Sequence, residues 1–61
     1  MRFEIYKSNS LLGGAWRWRL LGVNSEPIAS GEGYHRREDC MHAISLIQST
    51  NALTPIYETA I

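Results

Sequence analysis

Residues 2–8 alternate in character. Phe3, Ile5 and Lys7 fall on one side of an extended chain, and Arg2, Glu4, Tyr6 and Ser8 on the other, which is the period-two signature of a β-strand. Asn9-Ser10-Leu11-Leu12-Gly13-Gly14 breaks that pattern with two glycines. Residues 15–21 resume it, with Trp16, Trp18 and Leu20 on one face and Arg17, Arg19 and Leu21 on the other. Turn chemistry at Asn24-Ser25 then leads to a short third strand, Pro27 to Ser30, and a proline at its start suits a sheet edge. Three strands with short links predict an antiparallel meander.

After Gly31-Glu32-Gly33-Tyr34 the period changes. At about 100° per residue, Cys40, Ala43, Ile44 and Ile47 line one stripe of a helix running from about Arg36 to Ser49. His35 stands at the N-cap position, and Glu38 and Asp39 occupy the first turn, where carboxylates complement the helix dipole. This stripe should lie on the Phe3/Ile5/Trp18/Leu20 face. The expected fold is α+β: a three-stranded antiparallel meander packed by one C-terminal helix, in the order β-β-β-α. Residues 1–50 form this unit. Residues 51–61 form a tail in which Pro55 stops the helix and Leu53, Ile56, Tyr57 and Ile61 accompany a single charge, Glu58. A disordered end is usually richer in charge and poorer in apolar residues, and a frayed terminus is the alternative to a packed one. The tail is expected to be extended, as a further strand or as a segment packing on the domain or on a second copy.

The residues Phe3-Glu4-Ile5-Tyr6-Lys7, Trp16-Arg17-Trp18-Arg19-Leu20 and Ile28-Ala29-Ser30-Gly31-Glu32-Gly33-Tyr34 occur in that order, followed by Cys40, Ala43, Ile44 and Ile47. Over about residues 1–49 this series resembles the YegP-like family of small bacterial proteins of unknown function. The resemblance implies a three-stranded sheet packed by one helix, with pairing of single-copy members as dimers, and it brings no catalytic residues. The chain departs from the family pattern at His35, where a Ser or Thr cap is usual, and at Pro27, where a polar residue is common. Ser25 replaces the turn glycine after Asn24, and the loop Leu11 to Gly14 is more apolar than the common version.

Composition narrows the functional classes. With 61 residues, 44% of them hydrophobic, the chain forms one domain that buries only about 60% of its unfolded surface. Domains this small are usually reinforced by disulfides, a metal or a partner, and a single cysteine excludes an internal disulfide. Six basic and six acidic residues leave no net charge, which argues against a strongly electrostatic grip on nucleic acid or membrane. No apolar run approaches the ~20 residues of a membrane span, and the start does not resemble a signal peptide. A cytoplasmic location is expected.

The candidate chemistry is sparse. Arg17 and Arg19 share the open sheet face with Glu4 and Tyr6, where cross-strand Arg–Glu pairing is the ordinary arrangement. Tyr6, Arg17 and Arg19 are also the residues a nucleic-acid-binding face would use. His35, Glu38, Asp39 and His42 fall on one polar helix stripe, yet the two histidines lie about 10.5 Å apart along the axis and cannot share one ion. A small-ligand or metal site is therefore disfavoured, and no cofactor is expected. Cys40 sits in the apolar stripe, about 200° around the helix from His42, so the two cannot pair, and no enzyme activity is expected. Leu46 lies outside the stripe and Leu21 shares the face of the arginines. With Leu53, Ile56 and Tyr57 they make a candidate self-association surface. The leading expectation is a non-catalytic interaction module that forms a homodimer.

Overall fold

The computed structural model describes residues 1–9 and 14–60. The elements are β1 (Arg2–Ser8), β2 (Ala15–Leu21), β3 (Pro27–Ser30) and α1 (Arg37–Gln48), an α+β fold with the expected element order. The expected reading of the first loop at residues 10–13 lies outside the described residues. The strands form an antiparallel sheet ordered β1-β2-β3. The first hairpin sets Phe3 opposite Leu20, Glu4 opposite Arg19, Ile5 opposite Trp18 and Tyr6 opposite Arg17. Beyond β3 the chain stays bonded to β2: Gly31 N–H donates to the Trp18 carbonyl at 3.1 Å, and the N–H groups of Trp16 and Tyr34 each donate to the other residue's carbonyl at 2.8 Å.

Helix α1 lies chiefly on β2. Trp18, Cys40 and Ile44 form the buried centre, with Phe3, Ile5, Trp16, Leu20, Tyr34, Ala43 and Ile47 packed around it. The helical stripe and the sheet face read from periodicity therefore meet. Phe3 sets its ring edge-on to Trp18, with centroids 6.0 Å apart and planes at 63°, a favoured aromatic geometry. The indole N–H of Trp18 is buried without an acceptor. Gly31 packs directly on that ring: a Cβ built there would stand 1.8 Å from Trp18 Nε1. Any side chain at position 31 collides with the core.

The start of the helix differs from the expected one. His35 is not the N-cap. Arg36 holds that position in an extended conformation, φ −112° and ψ 142°, with no side-chain hydrogen bond to the helix end. The helix thus begins one residue later than its periodicity suggested, because Arg36 continues the extended chain. The β2–β3 connection closes with Ser25 N–H donating to the Gly22 carbonyl (3.0 Å) and Gly22 N–H to the Glu26 carbonyl (2.8 Å). Ser25 adopts φ 59°, the left-handed residue with which such hairpin loops end.

The tail continues from a hydrogen-bonded turn in which Leu53 N–H donates to Asn51 Oδ1 (2.7 Å) and Thr54 N–H to the Asn51 carbonyl (3.0 Å). Residues 55–60 form neither helix nor strand and are exposed.

Two substitutions test this account by chemical denaturation at fixed protein concentration. Gly31→Ala should lose about 2–3 kcal/mol, since the methyl overpacks a core aromatic. Ser25→Gly should gain no more than about 0.5 kcal/mol, the relief of left-handed strain less the exposed Arg2–Ser25 hydrogen bond it removes. An unchanged Gly31→Ala midpoint would show that Trp18 does not rest on Gly31.

Candidate interaction surface

The sheet carries its helix on one face only. The other face presents Arg2, Glu4, Tyr6 and Ser8 from β1 and Arg17 and Arg19 from β2, the residues alternate to those of the core. Their geometry is ordered by one carboxylate. Arg19 Nε and Nη2 each lie 2.9 Å from Glu4 Oε1, and Arg2 Nε donates to Oε2 at 2.9 Å. The two guanidinium groups hold the Glu4 carboxyl below its ordinary range, Arg2 contributing most. Arg2 also reaches Ser25 Oγ (3.1 Å), tying β1 to the second hairpin. The Arg19 guanidinium stands 5.1 Å from the Tyr6 ring centroid, within cation–π range. The expected Arg–Glu pairing across the strands is therefore present.

Arg17 is placed differently. Its Nε donates to the hydroxyl of Ser8 at 3.3 Å, and among the described residues no carboxylate lies within ion-pair distance of it.

Leu21 corrects an expectation. Periodicity put it beside the arginines as an exposed leucine, but only 4% of it is accessible. It lies at the end of the central strand, between Arg2 on β1 and Pro27 on β3. The register shifts between Leu20 and Leu21, so that Pro27 rather than Ile28 comes opposite. Alternation assigns a side chain to a face but does not register what an irregular neighbouring strand covers, and Leu21 leaves the set of exposed apolar contacts.

The other candidates are exposed. Leu46 is 57% accessible on the outer side of α1, while Leu53, Ile56 and Tyr57 reach 89%, 96% and 80%. The tail thus does not pack on its own domain. His42 and Asp39 are exposed on the helix, and His35 lies before it, so the four-residue polar stripe read from the sequence does not form as a single helical face. Among the described residues no three His, Cys, Asp or Glu side chains are grouped to hold a metal ion. Cys40 is fully buried, and burial pushes its thiol upward against the opposing effect of Arg37. The thiolate that reactivity requires is disfavoured there. No helix among the described residues is long and apolar enough to cross a membrane.

Residues 13–58 match a family model described as a domain of unknown function, DUF1508. Over 58 residues the chain is 50% identical to the UPF0339 protein NMB1088 of Neisseria meningitidis serogroup B, covering 95% of this chain and 98% of that protein. The UPF0339 protein NMA1193/NMA1859 of serogroup A matches to the same extent. The UPF0339 protein Atu0232 of Agrobacterium fabrum is 35% identical over 51 residues, covering 84% of this chain and 77% of the relative.

The Glu4 cluster predicts a pH dependence. A carboxyl with a lowered folded-state pKa stabilises the fold above its unfolded pKa, and that contribution disappears as the pH falls through the folded value. Wild-type protein should therefore exceed Glu4→Gln in urea midpoint at neutral pH. The gap should close as the pH is lowered past the ordinary value of 4.5. A constant gap down to about pH 2 would show that the Arg2–Glu4–Arg19 cluster carries no pH-dependent stability.

Proposed function

Because the chain belongs to the YegP-like DUF1508/UPF0339 family of small uncharacterised bacterial proteins, we propose that it acts as a non-catalytic interaction module that self-associates as a homodimer. The carrying observation is its surface. The chain exposes 5388 Å², whereas a compact protein of 6.9 kDa exposes about 4,000 Å². Its radius of gyration is 13.7 Å, against about 10.5 Å for a compact chain of this length. The excess, about 1,400 Å², exceeds the ~800 Å² that each partner buries in a standard interface. Much of the exposed apolar surface lies in the tail, at Leu53, Ile56 and Tyr57.

The tail has a matching acceptor in β1. Trp16, Trp18 and, by alternation, Leu20 direct their backbone groups toward β3 and its continuation, so Arg17, Arg19 and Leu21 direct theirs toward β1. By the register, Arg2, Glu4 and Tyr6 then face β2. The backbone groups of Phe3, Ile5 and Lys7 point outward along a seven-residue edge. The β3 edge is a poorer acceptor: it has four residues, starts with proline and adjoins a register shift. Ile56, Tyr57 and Thr59 give the tail strand-forming character. In this reading the tail of each copy adds to the β1 edge of the other, a reciprocal exchange that closes as a two-fold dimer.

Light scattering over a wide dilution series tests the proposal. The full chain should have the mass of a dimer, and removal of residues 55–61 should yield a monomer. Lys7→Pro, which deletes an outward N–H, should weaken association at least tenfold. A full chain that is monomeric throughout overturns the homodimer. A dimer that survives both changes overturns the exchange of tails onto β1.

A further inference from the structure

We infer that the open face of the sheet binds single-stranded nucleic acid, with Arg17 and Arg19 on successive phosphates and Tyr6 taking a base. The inference does not depend on self-association. The whole chain has no net charge, yet β1 and β2 together place Arg2, Arg17 and Arg19 on this face beside a single carboxylate of their own, Glu4. The one carboxylate is shared by Arg2 and Arg19, so these two strands bring three positive charges to the face and one negative one. Arg17 takes no part in that sharing, since its Nε rests on a neutral hydroxyl.

The spacing suits an extended polyanion. Arg17 and Arg19 are two residues apart on one strand, a rise of about 6.8 Å. Tyr6 is the register partner of Arg17 and has the Arg19 guanidinium against its ring, so the aromatic group adjoins both arginine positions. Tyrosine rings and guanidinium planes are the surfaces on which unpaired bases stack. A free phosphate or mononucleotide is normally held by donors converging in a concavity. Here the charges form a row on a sheet, and no cavity is found among the described residues, which favours a ligand that lies across the face.

Fluorescence anisotropy with a labelled single strand of about 12 nucleotides at low ionic strength tests this. The logarithm of affinity should fall with the logarithm of salt with a slope of about −1.4, for two phosphates at about 0.7 each. Arg17→Gln should reduce the slope to about −0.7, while Arg17→Lys should retain it. Tyr6→Leu should weaken binding about fivefold or more. Glu4→Gln, which frees two arginines, should strengthen it, a gain that a poorly folded variant would not give. Lys7→Gln, on the other face of β1, should bind as wild type. Absence of binding, an equal loss in Lys7→Gln and Arg17→Gln, or wild-type affinity in Tyr6→Leu would each overturn the inference.

Discussion

The packing of Trp18 is the constraint on which the rest of the fold depends. Its ring occupies the middle of the central strand, with Phe3 edge-on from β1 and Cys40 and Ile44 above it from the helix. It also presses on Gly31, the residue that leaves β3. One side chain thereby joins β1, the helix and the segment that follows β3, and that segment is held close to the sheet before the helix starts. This closeness explains the continuation to Tyr34, whose backbone pairs with Trp16. The indole N–H goes without an acceptor, an unfavourable desolvation that the aromatic packing must offset.

Charge organises the uncovered face in the way that burial organises the covered one. An antiparallel sheet with one solvated face needs polar residues there that do not repel across strands. The register meets this need by setting Glu4 opposite Arg19 and within reach of Arg2. The same arrangement concentrates unmatched positive charge at Arg17, because Tyr6 rather than an acid stands opposite. Stabilisation of the sheet therefore engages Arg2 and Arg19 through Glu4, and the proposed binding of a polyanion draws on the same side chains.

Much of this was legible in the sequence because periodicity reports which side chains share a face. The strands at residues 2–8, 15–21 and 27–30 and the stripe Cys40, Ala43, Ile44 and Ile47 were read in this way. What escaped depends on distance in space rather than on period. Leu21 looked exposed because alternation is blind to the shifted register beside it. Gly31 looked like a loop glycine because nothing local reveals that Trp18 lies against it. The cap at Arg36 is set by where the extended chain ends, and Arg36 has no capping side chain to announce it. Of the face itself, the Glu4–Arg19 pair was legible, whereas the isolation of Arg17 required the register.

The size of the domain links these observations. Among the described residues, a sheet of three strands under a 12-residue helix fully encloses one side chain, Cys40, and a chain of this length has little further apolar surface to bury within itself. Disulfide reinforcement is closed to a chain with one cysteine. The surface that remains is a seven-residue strand edge and an apolar tail standing off the domain. An unpaired edge of that length is a liability in a protein that stays alone, and natural sheets shorten, bulge or cover such edges. Here β3 shows the short and irregular form while β1 does not. Its regularity is physically reasonable if another segment covers it, and the tail of a second copy is the segment the chain itself supplies.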